Sequence, residues 1–127
     1  MKILIKKWLI KRWLKNYGIT NYTINTNGEI DVDGDINLTY RSLKKLPSYI
    51  QFGKVNSYFT CSLNKLISLK GMPKEVDGNF NCSYNKLTSL EWAPKKVSKK
   101  FFCEGNTIKF TKDDVNKIYK VGINIFV

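Results

Sequence analysis

Three cysteines separated by a constant interval constrain the fold of this chain more than any other feature. They lie at positions 61, 82 and 103, so consecutive cysteines are 21 residues apart. Their surroundings repeat with them, because residues 59–69 align with residues 80–90 and a shorter third copy spans residues 101–108. One copy of such a repeat cannot bury its own apolar face, so the copies must stack on one another as the coils of a solenoid.

The residue types within each copy indicate how a coil is built. Phe59 and Cys61 are two positions apart, so in a short strand both point to the same face, which we expect to be the interior. Asn64 follows where the chain turns, and its amide can bond backbone groups of neighbouring coils. Asn85 and Asn106 occupy the same place in the next copies. We call these three residues the asparagine ladder and predict that all three are structural.

A fourth copy lies upstream, at residues 32–46, and contains a two-residue insertion. Arg41 stands there in place of the ladder asparagine. The sequence therefore predicts about four coils with short parallel strands near residues 36–38, 58–61, 79–82 and 100–103.

The segments outside the repeats predict caps for the two ends of the solenoid. Residues 3–16 have apolar residues at helical spacing, and Asn27-Gly28 between two short apolar stretches predicts a hairpin with a type I′ turn. Thr111-Lys-Asp-Asp predicts the start of a second helix that runs to about Lys120, followed by a strand within residues 122–127. We therefore expect an α+β chain forming one domain over residues 1–127, with an N-terminal helix-plus-hairpin cap (1–32), repeats (33–108) and a C-terminal helix cap (109–127).

The repeat resembles the short leucine-rich repeats of secreted effectors from enteric pathogens, and still more those of small tailed-phage proteins. The shared pattern is F-x-C-x-x-N-x-L-x-S-L-x-x-x-P-x-x-V, and the resemblance covers roughly residues 17–108. Two departures stand out, since Trp92 replaces a glycine of the phage pattern and Lys99-Lys100 replace Gly-Asn. The resemblance implies a protein-binding module, encoded by a phage, that inhibits a bacterial host or defence protein such as a CRISPR effector.

Composition argues against catalysis and against an oxidised compartment. The chain has no histidine, which is the commonest general base and a common metal ligand, and no nucleophile–base pair can be identified. An odd number of cysteines without a signal-peptide pattern favours reduced thiols in the cytoplasm, which by the resemblance is that of an infected bacterial host. We expect no enzyme, no cofactor and no membrane span.

The net charge of +12 indicates an acidic partner. Only two of the 22 basic residues are arginines, whereas phosphate-binding grooves favour the bidentate guanidinium. A protein with an acidic surface, such as a nucleic-acid-processing effector, is therefore the favoured partner. Direct binding of nucleic acid remains an alternative, and so does attachment to an anionic membrane through the first helix, which carries Trp8 and Trp13.

Two arrangements resemble metal sites but favour structural interpretations. The cysteines replace residues that are usually leucine, so we expect them in the core rather than around a metal ion or in a disulfide. Asp31, Asp33 and Asp35 are spaced like the start of a calcium loop, yet Gly34 precedes the third aspartate and the twelfth position of such a loop is Ser42. We expect a turn of the repeat there.

The candidate partner-binding surface is the outer strand face of the last two coils and its basic margin. Phe102 lies between two inward-facing residues, so we expect it to project outward without a packing partner. The Lys95-Lys96 and Lys99-Lys100 pairs cluster on the same coil. The predicted partner-binding residues are Phe102, Lys100, Lys99, Glu104, Asn81, Asn79, Trp92 and Tyr58.

Overall fold

A computed structural model of the chain describes residues 2–119 and 123–127. In chain order the helices and strands are α1 (Ile3–Asn16), β1 (Tyr22–Ile24), β2 (Ile30–Val32), β3 (Ile36–Asn37), β4 (Phe52–Val55), β5 (Phe59–Thr60), β6 (Glu75–Val76), β7 (Phe80–Asn81), β8 (Lys96–Val97), β9 (Lys100–Phe102), α2 (Lys112–Asn116) and β10 (Asn124–Phe126).

The strands form two five-stranded sheets that run along the molecule. One sheet has the order β1-β2-β4-β6-β8 and the other the order β10-β9-β7-β5-β3. All pairs are parallel except the β1–β2 hairpin. Each coil therefore gives one strand to each sheet, and the predicted short repeat solenoid, with about four coils and two helices, is confirmed.

The stacking register follows the sequence repeat. Phe59 pairs with Phe80, which pairs with Phe101, and in the other sheet Val55, Val76 and Val97 are aligned in the same way. The strands β3, β5, β7 and β9 lie where the repeat predicted them. A constant period places equivalent residues in contact because parallel strands without bulges advance in equal steps.

A row of aromatic rings forms the centre of the core. Neighbouring ring centroids are 5.5–6.2 Å apart, which is the usual range for paired aromatic side chains. In order, the rings belong to Trp13, Phe52, Phe59, Phe80, Phe101 and Tyr119. The row begins on α1 and ends just beyond α2, so both terminal segments contribute to one continuous core.

The asparagine ladder bonds successive coils as the sequence predicted. The amide oxygen of Asn85 accepts a hydrogen bond from the Leu66 N–H (3.0 Å), and its Nδ2 donates to the carbonyls of Cys61 (3.0 Å), Cys82 (3.1 Å) and Ser83 (3.2 Å). Asn64 and Asn106 make the equivalent hydrogen bonds. Each bonds backbone groups of its own coil and of the preceding coil. Backbone groups that would be orphaned at the turn are thereby satisfied.

At the N-terminal end α1 covers the first coil with one face. Ile10, Trp13 and Leu14 are buried, and the chain leaves the helix at Gly18, which has the positive φ of 70° expected after a helix end. The hairpin turn differs from the predicted type I′. That turn needs two consecutive residues with positive φ, and Asn27 is not among the residues with positive φ. Instead residues 25–28 form a four-residue turn closed by a hydrogen bond from the Gly28 N–H to the Asn25 carbonyl (2.9 Å), and Gly28, the last residue of this turn, has a φ of 85°.

At the C-terminal end α2 begins at the predicted capping box. The Asp114 N–H donates to the Thr111 hydroxyl (3.2 Å), and the Asp114 carboxylate accepts from the Thr111 N–H (2.8 Å), which lowers the pKa of Asp114. The helix ends at Asn116 rather than near Lys120, and Lys120 itself lies outside the described residues, as does Gly122 at the predicted start of the last strand. Strand β10 adds to the end of the second sheet beside β9.

Candidate binding surface

The outer face of the β3-β5-β7-β9-β10 sheet changes in character along the solenoid. Because alternate residues of a strand point to opposite sides, one outward residue of each strand falls in a single row. In order, the row contains Asn37, Thr60, Asn81, Phe102 and Phe126. Small polar residues therefore occupy the first three coils, and two phenylalanines occupy the last part of the sheet.

Phe102 has a packing partner, although the sequence predicted none. Its ring stacks on that of Phe126, with centroids 4.6 Å apart and an interplanar angle of 13°, and Phe102 is consequently half-buried rather than freely exposed. Lys100 lies beside the pair, with its Nζ 5.9 Å from the centre of the Phe126 ring. These three residues, which we call the aromatic patch, place two rings and an ammonium group together at one end of the sheet.

Several other predicted site residues lie next to the aromatic patch. Tyr58, Asn79 and Lys100 follow one another at the same position of successive coils, and the Asn79 side chain accepts a hydrogen bond from the Lys100 N–H (3.1 Å). Asn81 is the strand neighbour of Phe102. Glu104 follows β9, is half-buried, and accepts a hydrogen bond from the Tyr84 N–H through its carbonyl (2.8 Å). The structure thus brings most of the predicted residues onto one face.

Trp92 does not share this face. It lies in the segment that leads to β8, in register with Gly71, and its ring is 5.7 Å from the Nζ of Lys70. Lys95 and Trp92 line one shallow recess, and Lys99 directly precedes β9. Trp92 is exposed and has a φ of 69°, a conformation that costs a bulky residue about 1–2 kcal/mol. Gly71, at the equivalent position of the preceding coil and with a φ of 90°, avoids that cost.

A second row of exposed apolar residues was not identified from the sequence. The row contains Leu63 and Tyr84, which directly precede ladder asparagines, and Tyr40, which precedes Arg41 at the equivalent position of the first coil. All three residues have φ between 55° and 58°. Gly105 holds the same position in the last copy, and the Tyr84 ring lies over it so closely that no Cβ would fit. The signal was present in the repeat alignment, where large side chains recur at a position that favours glycine or asparagine.

The cysteines lie in the core, as predicted, and their environment suppresses thiol chemistry. All three are buried and free of disulfides. Burial raises the pKa of the Cys61 and Cys82 thiols far above the usual range, and it raises the pKa of Cys103 to about 12. The thiolate is the nucleophilic form, so these residues are poor nucleophiles at neutral pH.

The aspartates of the calcium-like sequence bind the next coil instead of one another. Asp31 accepts a hydrogen bond from the Lys54 N–H (2.8 Å), Asp33 accepts from the Asn56 amide, and Asp35 accepts from the Ser57 hydroxyl. Within residues 2–119 and 123–127, no group of three or more cysteine or carboxylate side chains is arranged to hold a metal ion. Over the same residues, no helix has the length and apolar character to cross a bilayer.

Comparison with known proteins finds no matching protein-family model, no matching characterised protein and no matching solved structure.

Proposed function

We propose that the chain is a short leucine-rich-repeat protein that binds another protein and has no catalytic activity. Its α1-hairpin segment and its α2 segment cap the two ends of the solenoid. The binding surface is the aromatic patch with the neighbouring Asn79 and Asn81. The resemblance of the repeats to those of small phage proteins suggests the biological role: inhibition of a bacterial host or defence protein, such as a CRISPR effector, in the cytoplasm of an infected cell.

The stacked Phe102–Phe126 pair beside Lys100 is the observation that supports this proposal. The outer row is otherwise polar, and an aromatic pair next to a cation on a sheet face is typical of interface hot spots. The surface is formed by hydrogen-bonded strands before any partner arrives, so little conformational entropy is lost on docking. The surrounding lysines favour a partner with an acidic surface.

Purification of partners from a bacterial lysate, with and without nuclease, tests the proposal. We expect one protein to be captured in both conditions. Loss of all captured material after nuclease treatment would instead support nucleic-acid binding through the lysines.

Variants then test the surface. Phe102→Ala is expected to weaken binding of the captured protein by about 2 kcal/mol or more, a hot-spot magnitude. Lys100→Glu is expected to slow association more than it speeds dissociation, because a charge at the rim acts through steering. The matched controls are Tyr40→Ala and Lys86→Glu, which make the same kinds of change at exposed positions outside the aromatic patch. Normal binding by both patch variants, with binding abolished by Trp92→Ala, would move the interface to another face.

A further inference from the structure

The first residues of α1 are exposed, unlike the part of the helix that packs on the solenoid. The buried residues of α1 are Ile10, Trp13 and Leu14, all in its second half. Ile3, Leu4 and Ile5 are 73%, 83% and 52% exposed, so the helix starts with three consecutive apolar side chains in solvent. We call residues 3–5 the helix tip. Single exposed apolar residues are ordinary on protein surfaces, whereas a contiguous group indicates a binding function.

The geometry of the tip decides which kind of partner it fits. Consecutive residues of an α-helix point about 100° apart, so the three side chains of the tip spread over about 200° of the helix circumference, and Lys2 and Lys6 fall on the remaining side. A helix that docks in a protein groove presents one apolar stripe that continues over several turns. Here the outward face carries Leu4 and Trp8 and then continues with Arg12 and Lys15, both exposed. A segment that is apolar over more than half of its circumference, only a few residues long and flanked by lysines fits the boundary of a fluid apolar medium better than a groove.

The charges around the tip indicate that the surface of this medium is negatively charged. Helix α1 contains five basic residues and no acidic residue, and the first acidic residue of the chain is Glu29. Trp8 follows the tip at 57% exposure, with the guanidinium of Arg12 5.2 Å from its ring centre. Tryptophan, lysine and arginine are the residues that settle at the headgroup level of a bilayer. The basic residues of α1 are Lys6, Lys7, Lys11, Arg12 and Lys15.

From this arrangement we propose that α1 attaches the protein peripherally to an anionic lipid bilayer. The helix tip enters the boundary between headgroups and acyl chains, Trp8 lies at the headgroup level, and the lysines and Arg12 contact the anionic headgroups. Lys2 precedes the tip, and its long apolar stem allows its ammonium group to reach the polar layer. The two tryptophans of α1 thus have separate roles, because Trp13 packs on Phe52 in the core and Trp8 faces the lipid.

Sedimentation of the full chain with lipid vesicles tests this attachment. One set of vesicles contains phosphatidylcholine alone, and the other contains about one quarter phosphatidylglycerol, which gives the surface a negative potential. We expect binding to the anionic vesicles and little binding to the neutral ones. No binding to the anionic vesicles, or equal binding to both kinds, would overturn the proposal.

Matched variants separate insertion of the tip from general attraction by charge. Leu4→Gln/Ile5→Gln keeps good helix formers and removes the apolar contact, and is expected to reduce partitioning by about tenfold or more. The control is Ile67→Gln, at a residue that is 62% exposed on the solenoid. It is expected to bind like the wild type. Full binding by the tip variant would overturn the proposal.

The charge contribution is tested by a second pair of variants with equal net charge. Lys6→Gln/Lys7→Gln is expected to reduce partitioning by about tenfold, because each headgroup contact adds to the attraction. Lys65→Gln/Lys86→Gln removes the same charge from exposed positions far along the solenoid and is expected to have little effect. Equal losses in both variants would mean that the net charge alone attracts the protein, and would overturn the assignment to α1. Circular dichroism of each variant verifies that the fold is kept.

Discussion

At the scale of single residues, each asparagine of the ladder bonds several backbone groups at once. Asn85 is buried and bonds backbone groups of Cys61 and Leu66 in one coil and of Cys82 and Ser83 in its own. Hydrophobic residues of the same size cannot replace it, because several backbone groups would then be left in the interior without partners.

Replacement of Asn85 by alanine is expected to lower the free energy of unfolding by about 1–3 kcal/mol, since it leaves buried backbone groups unpaired. Urea or thermal denaturation measures the change. Arg41→Ala is the control, because the Arg41 side chain lies over the Tyr17 ring and makes no ladder bond. Its effect should be within about 0.5 kcal/mol. A neutral Asn85→Ala would contradict the structural role of the ladder.

The buried cysteines predict a loss of stability at alkaline pH. In the unfolded chain the thiols titrate near their ordinary pKa of 9.0, whereas in the fold burial keeps Cys61 and Cys82 protonated. The stabilisation is fully present below the unfolded pKa and is lost as the pH rises above it towards the folded pKa, because only the unfolded state releases the proton.

Each of these two thiols is therefore expected to contribute a decline of up to about 1.4 kcal/mol per pH unit above the unfolded pKa. Denaturation between pH 8 and pH 10.5 measures the slope, with Cys61→Val as the matched variant that should reduce the slope by the contribution of one thiol. An equal slope in both proteins would show that other groups cause the decline.

At the scale of helices and strands, the two halves of α1 have different environments. Trp13 is 7% exposed and opens the aromatic row, while Trp8 is mostly exposed on the same helix. Trp13→Ala is expected to destabilise the fold by about 3–5 kcal/mol, because it leaves a cavity next to Phe52. Trp8→Ala should change stability by no more than about 0.5 kcal/mol. Thermal denaturation compares them, and similar melting temperatures would contradict the assignment of Trp13 to the core.

The sequence predicted the elements that depend on the repeat and missed those that depend on pairing across the chain. The 21-residue period determined the strands and the ladder, because equivalent residues must stack. The pairing of β10 with β9 joins segments that share no pattern, so the Phe102–Phe126 stack was not foreseen and Phe102 was expected to lack a partner. The hairpin turn was misassigned because Asn-Gly is compatible with more than one turn that has a positive φ at glycine.

At the scale of the whole molecule, positive charge is spread over several surfaces. Lys100 adjoins the aromatic patch, Lys70 and Lys95 lie near Trp92, and α1 carries five further basic residues. Only two of the 22 basic residues are arginines, and the basic residues of the last coil fall on two different faces, with Lys95 near Trp92 and Lys100 at the aromatic patch. A distribution of this kind steers acidic partners without defining one continuous track for a nucleic-acid backbone.

Nucleic acid is therefore expected to bind only weakly, and the binding should disappear as salt is added. For contacts with several phosphates, the logarithm of the affinity falls linearly with the logarithm of the salt concentration. Gel shifts with single-stranded and duplex probes over a salt series measure this dependence. Submicromolar binding that persists at physiological salt would contradict the expectation and favour nucleic acid as the partner.

The stacking register of the repeated coils has a further consequence for how such a protein can change in evolution. The helix tip lies at the first coil and the aromatic patch at the last. The coils from Phe52 onward stack in one constant register, whereas the register shifts between Ile30 and Val32, where β2 pairs with β4. Duplication or loss of one whole repeat in the gene would join equivalent strand ends and leave both terminal surfaces unchanged. It would move those surfaces apart or together by one strand spacing, about 4.8 Å. The number of repeats thus sets the distance between the two terminal surfaces, and this distance can change only in discrete steps.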